Sequence, residues 1–233
     1  MKNLGKILTI IPAKAASKRL KKKNVALLNG KPLIQYTIET AKASGLCGHI
    51  MVSTEDSAIA SLARSLGAEV PFMRPEHLAH DPYEVDDVCL YVLDGYKKIG
   101  KEFDTLIILL PTSPFCSVLD IESCVRIFKQ DDGKFLMSVS QIDPHYYNAM
   151  RFGEDKLTMT HIFKDRKNEA KKGYATRCNG AVMIVDVKAF QETGTYYGEP
   201  LIGYEMPWER SIDVDTHRDL IFAEWLMDKN AKS

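Results

Sequence analysis

Two short stretches hold residue types that could do chemistry. Residues 10–24 read IIPAKAASKRLKKKN: five of the six residues from Lys18 to Lys23 are basic, with Lys14 just upstream. Ala15, Ala16 and Ser17 are small enough for backbone amides to approach a ligand closely, and lysines add point charges suited to phosphate. The stretch matches neither the G-x-x-x-x-G-K-[ST] phosphate loop nor the G-x-G-x-x-G dinucleotide loop. Near the other end, residues 213–215 read DVD. On an extended segment Asp213 and Asp215 project to the same side, and Mg²⁺ is commonly held by one or two carboxylates plus substrate phosphates. Each feature alone is an ordinary surface loop. Together they suggest a site for a metal-bound phosphate.

The elements that must position these groups follow from hydrophobic periodicity. KILTIIP reads as a strand buried on both faces. PLIQYTIETAKASG has helical spacing, with Pro32 suited to a first turn and Gly45 to the end. HIMVST is a strand, and DSAIASLARSLG a helix capped by Asp56 or Ser57 and closed by Gly67. VDDVCLYVLDGYKKIG and SVLDIESCVRIFKQ read as helices; DTLIILLP, KFLMSVSQI and GAVMIVD read as strands; THRDLIFAEWLMDK reads as a final amphipathic helix. This alternation predicts an α/β, Rossmann-like, mostly parallel sheet with helices on both faces. Ligands of such sheets sit beyond the carboxyl ends of the strands, where the lysine-rich loop falls. No linker interrupts the chain, so residues 1–233 read as one domain. Residues 143–178 fit no βα unit and read as a surface excursion or a dimerisation arm.

Composition excludes several classes. The 31 basic and 31 acidic side chains cancel, which argues against a general nucleic-acid binder. Five cysteines, an odd number with no C-x-x-C spacing, read as reduced thiols of a cytoplasmic protein. The apolar run from Ile7 to Ile11 is too short for a signal peptide and is interrupted by Thr9. No segment approaches the ~18 apolar residues of a membrane span. His77 and His80 adjoin Asp81 but lack a third ligand at a recognised zinc spacing. Tyr146, Tyr147 and Tyr174 could line a pocket or simply pack.

IPAKAASKRLKKKN resembles the nucleotide-binding signature of the sugar-acid cytidylyltransferases, I-P-A-R-x-x-S-K-R-x-x-x-K-N, and its Lys23-Asn24 ending resembles the acylneuraminate branch. VSTED, RPEHLAHD, LLPTSP, RCNGA and SIDVDTHRDL follow in the family's order and are similar to its V-S-T-D-D, R-P-x-x-L-A-x-D, L-L-Q-P-T-S-P, R-x-N-G-A and S-x-D-I-D-T-x-x-D-L. The resemblance covers nearly the whole chain. It implies transfer of CMP from CTP to the anomeric hydroxyl of an acidic nine-carbon, sialic-acid-like sugar destined for cell-surface glycans, with release of pyrophosphate. It implies a nucleotide site at Lys14, Ser17, Lys18, Lys23, Asn24 and Arg74, and a sugar site at Leu110, Arg177 and Asn179. Asp213 and Asp215 would hold Mg²⁺, with Lys23 and Asp213 as catalytic groups. It also implies a homodimer joined through residues 143–178. The alternatives are a 3-deoxy-manno-octulosonate cytidylyltransferase, disfavoured by Lys23-Asn24, and a non-catalytic nucleotide-binding protein on the same fold.

The chain departs from the pattern at four places. Lys14 replaces an arginine, so a bidentate phosphate contact becomes a point charge. Ala16 stands where glycine is common, Leu110 replaces a glutamine used near the sugar, and Asn148 aligns with a lysine of some sialic-acid enzymes. The last two bear on which sugar is used.

Overall fold

The structure, a computed structural model, describes residues 2–142, 145–154, 158–164, 168, 171 and 174–230. Strand β1 (Ile7–Pro12) leads through two-residue strands β2 (Leu27–Leu28) and β3 (Lys31–Pro32) to helix α1 (Leu33–Ser44). Then come β4 (His49–Ser53), α2 (Ser57–Ser65), α3 (Val85–Lys98), β5 (Thr105–Ile108), α4 (Val118–Gln130) and β6 (Phe135–Gln141). A hairpin of β7 (Met150–Phe152) and β8 (Met159–His161) precedes β9 (Thr176–Asp186), α5 (Val187–Thr193), β10 (Leu201–Glu205) and α6 (His217–Asn230).

The main sheet has the order β10-β6-β9-β5-β1-β4. Its pairings are parallel except those of β9, which runs antiparallel to both neighbours. This is the α/β, mostly parallel architecture that the alternation predicts. Leu8 and Ile10 of β1 pack on one face with Val88, Val92 and Tyr96 of α3. Ile11 packs on the other with Ile34 and Ile38 of α1 and Ile121 of α4. Burying each such side chain contributes about 1.5–3 kcal/mol, which is why a central parallel strand is apolar on both faces. A third, small core joins Leu28, Leu33, Val214 and Ala223 under α6.

The ends of the helices follow their local chemistry. Asp56 accepts from the amides of Ala58 and Ile59 and starts α2. Gly45, at φ 64, closes α1, a left-handed conformation that costs glycine nothing sterically. Pro32 stands one residue outside α1, at its N-cap.

Three features differ from the sequence expectation. The strand expected at GAVMIVD begins earlier, at Thr176, so Arg177 and Asn179 lie in the sheet, not at the end of an arm. The pairing of β6 with β9 shifts register between Met137 and Val139, beside Gly180 at φ 72, and backbone pairing then continues to Thr176 past the end of the apolar run. The edge strand β10 alternates between exposed and half-buried residues, and so carries little apolar signal. Within 143–178, the described residues include a 3-10 turn, Tyr146–Asn148, the start of β9, and the hairpin β7–β8, whose Met150, Phe152 and Met159 are exposed. Among the described residues no helix is long and apolar enough to cross a membrane.

Candidate active site

A cleft of about 400 Å³ opens beyond the carboxyl ends of β1 and β5. Lys14 and Ser17 reach it from the turn after β1, and Leu110, Pro111 and Thr112 from the turn after β5. Lys23, Asn24, Arg74, Asp213 and Asp215 complete this wall. An adjoining lobe shares Lys14, Ser17, Lys23, Asp81 and Asp215 and adds Lys18 and Arg19. The two stretches singled out by chemistry therefore meet, although the chain between them crosses the whole sheet.

The turn after β1 is built by contacts that its sequence does not announce. Lys22 takes a left-handed conformation and turns the chain into a short 3-10 segment, Lys23–Val25. Lys21 and Lys22 stay exposed while Lys23 turns inward. The Asn24 side chain is buried and donates to the Lys14 carbonyl at 2.8 Å, bracing the turn from within. Glu55 accepts from the Ala15 amide at 2.6 Å. Arg74 is buried and donates to the Ser53 carbonyl and hydroxyl. Lys18 reaches across the mouth to Asp81 at 2.7 Å, both side chains being exposed.

The carboxylate pair has two different environments. Asp215 is clamped by two cations: Lys23 Nζ donates to Oδ1 and Arg19 pairs with Oδ2, both at 2.5 Å. Burial raises the Asp213 carboxyl above its ordinary value. A hydrogen bond from Thr112 opposes the rise, Asp215 adds to it, and Lys23 and Arg177 oppose it. Asp213 Oδ1, Ser17 Oγ and Glu55 Oε2 are buried with no hydrogen-bond partner among the described residues. A buried carboxylate oxygen without a partner is costly and marks a position ready for a ligand.

Two expected sugar contacts fall elsewhere. Asn179 is buried and takes no part in lining the cleft. Its amide nitrogen donates to Ser211 Oγ at 2.9 Å and its oxygen accepts from Ser138 Oγ at 2.6 Å. Arg177 is exposed at the start of β9, paired in the ladder with Ser140, and near enough to act on Asp213 electrostatically. Tyr174 is exposed and donates to Glu205 at 3.0 Å, Tyr146 packs edge-on against Phe163, and the Tyr147 side chain lies outside the described set. His77 packs against Tyr83, and His80 pairs with Glu76.

Sequence reasoning missed Arg19, Glu55, Thr112 and Tyr196 as parts or supports of the site. Arg19, Glu55 and Thr112 stood inside quoted motifs, and their roles could have been sought there. Nothing local marks Tyr196, which reaches the cleft from the segment between α5 and β10.

Residues 8–167 match the family described as Cytidylyltransferase. The chain belongs to the cytidylyltransferase family. Across 231 residues this cytidylyltransferase is 36% identical to the CMP-N,N'-diacetyllegionaminic acid synthase of Legionella pneumophila, covering 98% of the chain and 99% of that protein. It is 28% identical over 236 residues to the pseudaminic acid cytidylyltransferase of Campylobacter jejuni, covering 100% and 99%. The N-acylneuraminate cytidylyltransferase of Escherichia coli O18:K1:H7 is 28% identical over 96% of this chain and 52% of its own length. Among solved structures, a CMP:2-keto-3-deoxy-manno-octonic acid synthetase complexed with CTP superposes with a TM-score of 0.72 at 18% identity, covering 97% of this chain and 99% of its own. That likeness establishes the shared fold.

Proposed function

We propose that the chain transfers CMP from CTP to the anomeric hydroxyl of a sialic-acid-like nonulosonic acid and releases pyrophosphate. One observation carries the reading: Lys14, Lys23, Asn24 and Arg74 share a single cleft with Asp213 and Asp215. Relatives named for legionaminic, pseudaminic and N-acylneuraminic acids support the substrate class.

The sugar hydroxyl attacks the α-phosphorus in line. A new oxygen–phosphorus bond forms, the bond to the β-phosphate oxygen breaks, and pyrophosphate departs. Phosphoryl transfer is accelerated chiefly by positioning and electrostatics. Lys14, Ser17, Lys18 and Lys23 hold the triphosphate, and Lys23 neutralises charge developing on it. Arg74, with Asn24 bracing the turn beneath, binds the cytidine. Asp213, its carboxyl raised by burial, accepts the hydroxyl proton, a task that favours a value nearer neutrality. Arg177, outside the cleft wall but near enough to act on Asp213, is assigned to the sugar carboxylate, for which a guanidinium is suited, and Leu110 faces the sugar. The role of Asn179 in this scheme is to hold Ser211.

The residues fit a divalent cation. Asp213 Oδ1 lacks a partner and Asp215 lies in the same cleft. Among the described residues no cluster of three or more His, Cys, Asp or Glu could hold an ion, so phosphate oxygens would complete the shell, as Mg²⁺ prefers. When bound, Mg²⁺ neutralises charge on the phosphates.

In this reading the chain is one nucleotidyltransferase domain with residues 143–178 as a dimerisation arm. The exposed Met150, Phe152, Met159 and Ile162 on and beside the hairpin support that role. The test is pyrophosphate release from CTP with N-acetylneuraminic, legionaminic, pseudaminic and 3-deoxy-manno-octulosonic acids. Release with a nonulosonic acid is expected. Release with the octulosonate alone assigns the other branch, and no release with any sugar overturns the reading.

A further inference from the structure

The loop carrying Asp213 and Asp215 starts at an ion pair that the catalytic scheme leaves unused, between a buried carboxylate and an Arg210 side chain that is 38% exposed. Asp120, in the first turn of α4, is fully buried. Its carboxylate accepts from Arg210 through Nε and Nη2, both at 2.9 Å. It also accepts from the Ser117 amide at 2.9 Å, the Ser117 hydroxyl at 2.6 Å and the Tyr204 hydroxyl at 3.1 Å. Burial pushes the Asp120 carboxyl up, but Arg210 and Ser117 outweigh it and hold the group below its ordinary value. Such a pair is weak evidence for stability, because apolar residues of similar volume often serve as well. What a two-pronged guanidinium contact fixes is orientation.

That orientation is passed along the chain from Arg210 to Asp215. Ser211 is buried and held by Asn179 and by the Pro207 carbonyl. The Val214 amide donates to the Thr112 carbonyl at 2.8 Å, and its side chain is buried in the third core. With Arg210, Ser211 and Val214 anchored, Asp213 and Asp215, on either side of Val214, are left to line the cleft. Helix α4 grows out of the same turn that supplies Thr112. The pair therefore closes a triangle between the end of β5, the first turn of α4 and the carboxylate loop. Neither Asp120 nor Arg210 lines the cleft.

We propose that Asp120 and Arg210 are positioning residues, which set Asp213 and Asp215 at the spacing a phosphate-bound divalent cation requires. The inference rests on the functional reading above. The test uses the full chain without sugar: Mn²⁺ binding in the presence of CTP by electron paramagnetic resonance, metal-free CTP binding by calorimetry, and thermal melting. Losing a group that orients a metal ligand costs about 10- to 100-fold in metal affinity or activity. Arg210→Met should lose Mn²⁺ affinity by about tenfold or more and leave metal-free CTP binding unchanged, since the lysine turn is untouched. Arg210→Lys should fall between it and the unmodified chain. The neutral double variant Asp120→Asn/Arg210→Gln removes both charges of the pair together, so no unpaired charge is left on the buried side. It should regain melting temperature without regaining Mn²⁺ affinity, an outcome that a purely structural pair would not give. If Arg210→Met does not fold, the double variant decides. Wild-type Mn²⁺ affinity in a folded double variant overturns the proposal. An unmodified chain that binds neither CTP nor Mn²⁺ overturns the functional reading itself, and the proposal with it.

Discussion

Lys23 Nζ and Asp215 Oδ1, 192 residues apart in the chain, meet at 2.5 Å in the cleft. Arg19 occupies the other oxygen of the same carboxylate. The cations that suit a triphosphate thus rest on the carboxylate that suits its metal. A metal-bound nucleotide offers both partners something better: phosphate oxygens for Lys23 and Arg19, and a divalent cation for Asp215. Asp215→Asn should keep the fold and lose most turnover. Turnover at wild-type rate with limiting Mg²⁺, measured by pyrophosphate release, would show that Asp215 holds no metal.

Asp213 makes the metal dependence sensitive to pH. Burial raises its carboxyl, so a proton competes with the cation at a pH where an ordinary aspartate, at about 3.9, is still ionised. The Mg²⁺ concentration giving half-maximal rate should rise as pH falls through the raised value. For stability the sign is reversed. A carboxyl raised in the native state costs nothing below its unfolded-state value. The cost accrues as pH rises from that value to the native one, and is complete above it. Asp213→Asn should therefore melt higher than the unmodified ligand-free chain at neutral pH while losing turnover. A lower melting temperature would count against a net cost of the buried carboxylate, whose Oδ1 lacks a partner.

Leu110 is expected to favour sugars that end in a methyl group, such as legionaminic or pseudaminic acid, over N-acetylneuraminic acid with its primary hydroxyl. Leu110 is half-buried at the cleft. Burying a hydroxyl against it without a partner costs about 1–3 kcal/mol. An apolar pocket rejects an added hydroxyl only weakly, by roughly a hundredfold in a known comparison, so a preference is expected and not exclusion. Comparing kcat/KM across the sugars tests this. Leu110→Gln should move the ratio towards N-acetylneuraminic acid. Equal or better kcat/KM for that sugar in the unmodified chain would sink the idea.

The hairpin β7–β8 is expected to cross to a second copy. Met150 and Met159 are 45% and 54% exposed and Phe152 63%, on a two-stranded ribbon that pairs with no other strand among the described residues. An isolated ribbon of this kind is marginal in water, and a partner surface would cover it. Sedimentation at micromolar concentration should give a dimer, and a monomer would rule the arm out.

The order of the main elements was legible in the sequence because their causes are local. Residues Ile7 to Ile11 read as a buried strand from their apolar run, Asp56 as a cap from its place before a helical pattern, and Gly45 as a helix end. The chemistry was also local in kind: a lysine-rich turn and two carboxylates two residues apart. Tertiary structure decided which of those groups act together. Lys23 faces inward while Lys21 and Lys22 do not, because Lys22 reverses the chain. Asn179 is committed to Ser211 and Ser138, partners 32 and 41 residues away. Asp120 and Arg210 looked like an ordinary helix residue and loop residue until the fold brought them together across 90 residues. A one-dimensional pattern records what each segment can bury. The partner of a polar side chain depends on where distant segments meet, and that is set by the packing of the whole sheet.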